Sequence, residues 1–428
     1  MPTITTSPPV RSCRELSVRR CGHIMSALML CAVNLGVAAQ DMDFDGALRA
    51  ALERAPLLQA RGASVQGAQA LQTSAAQLPD PKLTLGIDSL PVNGPNRGSL
   101  SRDDFTQRQI GWTQDVPNRG KRAARADAAQ ARTERERALL QMEQLTVRRE
   151  TGLAWLASYF SGKRLALFDE LIVQQELMKK TAPAQLAAGK INPSDLSTIE
   201  LEALALADRR DELQRDAAQS RALLRRWAGD AASARGPAPE FTVDQPYLLA
   251  ALESSPEIAV LTPMRAMADA EVREAEAARQ GDWSWSVSYG KRGQGFGDLV
   301  SVLLTFELPL SPGQRQQPQI RARQQELLRI AAERDELLRR QTQELQALLA
   351  ELGELDSKLQ RLTQQALPSA AQRTDFTLAA YESGRDKLAA VLEARKQQTE
   401  LGLRALELQA RQRAVQWRLN SILPEQAP

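Results

Sequence analysis

The side chains that most often carry nucleophilic, metal-binding or acid–base chemistry are confined to one short stretch of this 428-residue chain. Cys13, Cys21 and Cys31 are its only cysteines, and His23 is its only histidine. Thiolates and imidazoles supply disulfides, soft-metal ligands and groups that titrate near neutrality. If that stretch is removed, none of this chemistry remains. Asp and Glu are abundant, but no pair stands at a recognisable catalytic spacing, and a charged helix face accounts for them. Met264 and Met267 lie three apart on an expected helix and could contact a soft ion, but helix packing is the ordinary reason for that spacing. The chain reads as a non-enzyme with no cofactor and no metal site.

The stretch that holds these residues, 1–39, has the form of an export signal. Arg11, Arg14, Arg19 and Arg20 make a basic leader, and Ile24 to Leu35 is apolar apart from Ser26, Cys31 and Asn34. Val37-Ala38-Ala39 then offers small residues for cleavage before Gln40. The apolar run is shorter than the roughly 20 residues a spanning helix needs. Met25 is an alternative start, and the bulky Leu30 makes Cys31 a poor lipidation site. The chain has 55 Lys and Arg against 52 Asp and Glu, and four of the Arg and one Glu lie before residue 40. The remainder is electrically balanced, which gives no reason to expect nucleic acid as a partner.

The elements beyond residue 39 follow one plan twice. The segment 40–236 reads as a helix, two strands and a long helical hairpin, and 237–428 reads the same way. Ala47 to Pro56 opens a helix expected to reach about Leu78, and Leu249 to Pro256 opens one expected to reach about Gln280. The Pro/Gly/Ala-rich stretch from Gly229 to Pro246 is the seam.

Trp283-Ser284-Trp285-Ser286-Val287-Ser288-Tyr289 alternates strictly, so a strand there puts Trp283, Trp285, Val287 and Tyr289 on one face. Val300, Val302, Leu304, Phe306 and Leu308 share a face of the next strand. Leu83, Leu85 and Ile87 alternate in the first half, and Ile110, Trp112 and Val116 do so less regularly. A transmembrane barrel produces this pattern, as does a half-buried sheet on a soluble core. The export signal favours the membrane. Four strands cannot close a barrel, and an open edge in lipid leaves backbone groups unpaired, so several chains would have to share one barrel. The lipid-facing candidates are Trp112, Trp283, Trp285, Tyr289 and Phe306.

Arg119 to about Lys180 is proline-free and would reach roughly 90 Å as a helix. Gly313 to about Ala366 is similar, with Pro318 in its first turns. Leu338, Leu345, Leu352 and Leu359 recur every seven residues, with Leu348, Leu355 and Leu362 as companions, which makes a heptad seam. The rest of that helix is polar, as suits a thin wall wetted on both sides.

With signal, duplication, strand pairs and hairpins together, the chain resembles the TolC family of outer-membrane efflux proteins. The best local markers are the hairpin turns Ala188-Gly189-Lys190-Ile191-Asn192-Pro193-Ser194-Asp195-Leu196 and Tyr381-Glu382-Ser383-Gly384-Arg385-Asp386-Lys387-Leu388. The resemblance implies a mainly α fold with a small β part, in which long antiparallel coiled-coil hairpins form a periplasmic α-barrel. Four strands per chain would enter a shared, homotrimeric 12-stranded transmembrane β-barrel. It also implies docking of a periplasmic adaptor at tips marked by Gly189 and Gly384, and an entrance lined by acids, for which Asp195, Asp386 and Glu393 are candidates. The chain would then be the outer-membrane channel of a tripartite, resistance-nodulation-division type efflux pump in a Gram-negative bacterium, serving an inner-membrane pump as a passive duct. Gln77-Leu78-Pro79-Asp80-Pro81-Lys82-Leu83 and Gly111-Trp112-Thr113-Gln114-Asp115-Val116-Pro117, with Gly120-Lys121-Arg122, resemble the heavy-metal branch of CzcC-like and CusC-like proteins, which implies metal cations as cargo. The alternatives are a periplasmic adaptor, which has a single hairpin, and a coiled-coil spacer without a pore, which leaves the strand pairs unexplained.

Overall fold

Asn118 starts the longest element of the chain. In a computed structural model, which describes residues 40–423 apart from 190, 231 and 294, its side chain accepts a hydrogen bond from the backbone N–H of Lys121 at 2.9 Å. The expected signal segment, with its Cys and His residues, lies outside the described residues. The cap opens helix α3, Arg119–Ala187, whose 69 residues span about 100 Å. The helix continues past the expected end near Lys180 and absorbs Pro183 close to its C-terminus. The chain reverses at Gly189, where φ is +67°, and returns as α4, Pro193–Ala228. The second hairpin descends through α8, Gln316–Arg361, and α9, Leu367–Glu382. Between them a widened turn, Leu362–Ala366, has π-helical hydrogen bonding. Pro368 has no N–H to give the carbonyl four residues back, and the extra residue in the turn before it keeps the helix going. The run therefore extends 16 residues beyond the expected end at Ala366. After Gly384, at φ +71°, α10, Leu388–Asn420, climbs back.

The shorter helices correct another expectation. The opening helix of the first half is two, α1 (Phe44–Arg54) and α2 (Pro56–Ala75), and its counterpart is α5 (Gln245–Ala251), a 3-10 turn at Leu252–Ser254, α6 (Pro256–Ala259) and α7 (Leu261–Ala277). Proline is the reason in both places. Its ring pushes the preceding residue out of the helical region, and Ala55 and Ser255 sit at ψ 113° and 140°.

Four strands form one antiparallel sheet in the order β2–β3–β5–β6: β2 is Lys82–Asp88, β3 Gln107–Val116, β5 Trp283–Lys291 and β6 Leu299–Phe306. Strand β6 ends at Phe306, so Leu308 lies outside it. A second sheet, absent from the sequence reading, pairs β1 (Gln40–Met42) in parallel with β4 (Ala232–Ala234).

The core is a set of narrow seams, not a single mass. Leu338, Leu345, Leu348, Leu352 and Leu355 of α8 pack with Leu248, Leu252, Val415 and Leu419, so the heptad from Leu338 to Leu355 is a packed seam with Leu345 and Leu355 buried at its centre. On α3 and α4, Phe168, Leu206 and Leu213 share another seam with Leu403. An aromatic belt joins the halves. Phe44 meets Trp155 and Trp417 edge-on at 5.5 and 4.8 Å between ring centres. Both indoles donate to backbone carbonyls, Trp155 to Met42 at 3.0 Å and Trp417 to Arg149 at 2.9 Å. Gly152 is where α3 lets the Trp417 indole in, since a Cβ there would collide with it. Gly152→Ala is expected to destabilise the chain by about 1–3 kcal/mol, the usual cost of overpacking, seen as a lower unfolding midpoint in detergent.

Candidate functional site

Strand register turns four alternating strands into one two-faced surface. Leu83, Trp112, Val287 and Val302 lie in one row across the sheet, and Leu85, Ile110, Tyr289 and Val300 in the next. Val116, Trp283 and Phe306 form the row nearest the helices, and Gln114, Trp285 and Leu304 lie beside it. The other face carries Thr84, Gly111, Ser288 and Ser301, then Lys82, Thr113, Ser286 and Leu303. Leu299 and Leu303 are the large apolar residues on that polar face. The five sequence candidates Trp112, Trp283, Trp285, Tyr289 and Phe306 thus share the apolar face. Trp283 and Phe306 stack 6.4 Å apart at its helix end, Tyr289 lies toward the loop end, and the cations Arg108 and Lys291 pair beyond it. Aromatics near both ends of an apolar band, with charges outside them, are what a barrel wall presents to a bilayer.

The face is open. All side chains of β2 and β6 are exposed, and among the described residues no strand pairs with the outer edge of either. No helix among the described residues is long and apolar enough to cross a membrane. The polar face has its own contacts: the Gln109 amide donates to Ser288 Oγ at 2.7 Å, and Lys82 Nζ reaches Asp115 at 2.7 Å.

A knot of polar contacts fixes the sheet to the helices. Asp282, one residue before β5, accepts from the Asn118 backbone N–H at 2.9 Å and from Lys121 Nζ at 2.9 Å. The Asn118 side-chain amide donates to the carbonyls of Ala277 and Gln280, which close α7, at 2.9 and 2.8 Å. The backbone N–H of Glu307 donates to the Asp282 carbonyl at 2.8 Å. Gly281 is required there because a Cβ would overlap the Glu307 carbonyl. Partial burial pushes the Asp282 carboxyl up, but the Asn118 N–H and the Lys121 ammonium outweigh it and hold the group below its ordinary value. Sequence reading marked Pro117 as a strand stop but missed Asn118 and Asp282. The Gly281-Asp282 pair just before the Trp/Ser alternation was the available signal.

At the far end the two hairpin turns come together. Ile191 and Ile199 of the first share a cluster with Ala182 and with Leu392, four residues into α10. Gly189 and Gly384 hold the tight reversals, and space beside both is open. The three acids differ in employment. Asp195 closes a capping box, accepting from the Asn192 N–H at 3.0 Å while Asn192 accepts from its own N–H at 2.9 Å. Asp386 accepts from the Lys387 N–H at 2.7 Å, and Glu393 is exposed one turn into α10. Among the described residues no group of three or more His, Cys, Asp or Glu could hold a metal ion.

The lowered Asp282 carboxyl gives a signed pH dependence. Its contribution is complete above the unfolded value of about 3.8 and is lost as pH falls through the depressed folded one. Melting from pH 7 down to about pH 2 is expected to show a steeper fall in acid for the native chain than for Asp282→Asn. Equal slopes would remove Asp282 as a pH-dependent anchor of the junction.

No family model matches the chain, and no curated protein matches it. Solved structures do. A membrane protein from Pseudomonas aeruginosa superposes with a TM-score of 0.76 at 17% identity, over 89% of each chain. The CmeC outer membrane channel of Campylobacter jejuni gives 0.75 at 12% identity, covering 89% of this chain and 85% of that one. CusC, a protein that forms a transmembrane channel, gives 0.73 at 15% identity, covering 90% and 93%. At these identities the likeness is one of fold. The chain has the mainly helical fold of these solved membrane proteins, with long antiparallel hairpins and one small antiparallel sheet.

Proposed function

We propose that this chain is the outer-membrane channel of a tripartite efflux pump, a passive exit duct without catalysis, exported by the signal segment 1–39 and assembled as a homotrimer. The observation that carries the reading is the four-stranded sheet with one apolar face, one polar face and two unpaired edges. In hydrocarbon those edges must be paired, and three copies joined β6 to β2 give a closed 12-stranded barrel. Trp112, Trp283, Trp285, Tyr289 and Phe306 then face lipid, and the Ser and Thr rows face the lumen. The segments 40–236 and 237–428 are two copies of one plan, a reading supported by the matching order of their elements.

In this reading the turns at Gly189 and Gly384 meet a periplasmic adaptor, and Asp195, Asp386 and Glu393 stand near the entrance. Asp195 is the least free of the three, because its carboxylate is engaged in the capping box. The cargo is heavy-metal cations. Support for this comes from the Gln77–Leu83 and Gly111–Arg122 stretches, which resemble the heavy-metal branch. The fold itself carries no information on cargo. With no Cys or His after Cys31 in the sequence, selection of soft metals falls to the inner-membrane pump.

Native mass spectrometry of detergent-extracted outer membrane should give a particle of three chains lacking the signal segment; a water-soluble monomer would remove the channel reading. Val302→Arg, on the apolar face, is expected to lose about 2–4 kcal/mol if it lies at mid-bilayer and to deplete the outer-membrane band. Ser301→Arg beside it should assemble normally and lower single-channel conductance. Loss of the gene should sensitise cells to metal salts more than to organic dyes.

A further inference from the structure

The helical wall has two free edges, and each carries large apolar side chains facing away from the chain's own helices. The helices pack in the order α4–α3–α10–α9: Arg210 of α4 meets Asp169 of α3, Gln174 of α3 meets Arg395 of α10, and Gln397 of α10 meets Arg373 of α9, while Glu202 of α4 also reaches Lys396 of α10 at 3.9 Å on the inward side. Helix α4 turns Ile199, Leu206 and Leu213 inward, and Leu201 lies about 200° round the helix from Ile199. Leu201 and Leu204 are 68% and 65% exposed. On α9 the inward residues are Ala370 and Thr374, and Phe376, about 200° round from Thr374, is 65% exposed.

The two edges match in height. The Gln175 amide donates to the Ile199 carbonyl at 3.4 Å, which sets Leu201 level with Val173 and Gln174. Gln174 is level with Arg395. Arg395 lies two residues before Gln397, the partner of Arg373, so its own level on α9 falls beside Phe376. Leu201 and Phe376 therefore stand within about one turn, ~5 Å, of a common plane. The edges also match in hand. Strand β3 runs into α3, and β6 runs through α8 into α9. Strand β2 and α4 thus lie on one side of the chain, and β6 and α9 on the other. Any ring that pairs β6 of one copy with β2 of the next also brings α9 of the first against α4 of the second, at one height because the ring closes.

We propose that Phe376 of one copy seats against Leu201 and Leu204 of the partner subunit, an apolar seam that closes the helical wall below the barrel. The inference rests on the homotrimeric reading and names the surface that reading leaves open. A second copy is the occupant because it presents the complementary edge at the same level and continues the β6–β2 pairing.

The sequence has no cysteine after Cys31, so paired cysteines report the seam directly. Phe376→Cys combined with Leu201→Cys, or with Leu204→Cys, is treated with a mild oxidant in membranes and run on non-reducing gels. A thiol-reversible ladder of two and three chains is expected in at least one double variant and in no single variant. Native mass of the same samples separates the two ideas. A three-chain particle with no ladder in either double variant overturns the seam and leaves the trimer standing; a one-chain particle overturns both. Phe376→Asp should raise the concentration at which trimers dissociate in detergent at least tenfold. Val173→Asp, equally exposed but on the central helix α3, should not; equal effects of the two would also overturn the seam.

Discussion

The outer edges of β2 and β6 impose the constraint on which the other features turn. A row of unpaired N–H and C=O groups is tolerable in water, but in hydrocarbon each one costs several kcal/mol. A sheet with an apolar face for lipid and two bare edges is thus incomplete by itself. Twisting four strands onto themselves cannot remedy this, because the smallest membrane barrels need about eight. In the proposed channel the remedy comes from copies of the same sheet. First-half elements line one flank of the chain and second-half elements the other, so in the proposed trimer each flank supplies half of an interface.

The join between sheet and wall must reconcile two spacings. Neighbouring strands lie about 4.8 Å apart, whereas packed helices lie about 8–10 Å apart. Strand β3 feeds α3 directly, while β5 is fed by α7, so two elements diverge within a few residues of Pro117 and Asp282. Asn118 and Asp282 manage the divergence by capping. Asn118 caps α3 with its side-chain oxygen and α7 with its amide, and the Asp282 carboxylate takes the backbone N–H of Asn118 itself and the Lys121 ammonium. Few other side chains could satisfy a helix start and a helix end together, since this needs both an acceptor and donors.

Below the junction, stability is spread along seams one or two residues wide. Most ion pairs of the wall, such as Arg329 with Glu326 and Glu333, are exposed and add little each. The aromatic belt of Phe44, Trp155 and Trp417, backed by the small β1–β4 sheet, is the widest apolar mass among the described residues and ties α1 to α10. A helical wall this thin has no room for a thicker core, so the length of its helices takes the core's place.

Several features are properties of the local chain and were readable as such. The Trp/Ser alternation of 283–289 belongs to a strand whatever packs beside it, and the leucines from 338 to 362 mark a helix seam at any tertiary position. Gly189 and Gly384 are punctuation a tight reversal needs. Residue spacing alone dictated these, because side-chain period and allowed backbone angles follow from a few neighbouring residues. Helix breaks at Ala55 and Ser255, the continuation through Pro183 and Pro368, and the capping duty of Asp195 depended on whether nearby groups could replace a lost hydrogen bond. Partners far away in sequence decided the rest. Trp417 lies 268 residues from the carbonyl it bonds, and Asn118 lies 164 from Asp282. A contact between such residues leaves no period in the sequence, so only the folded chain could select it.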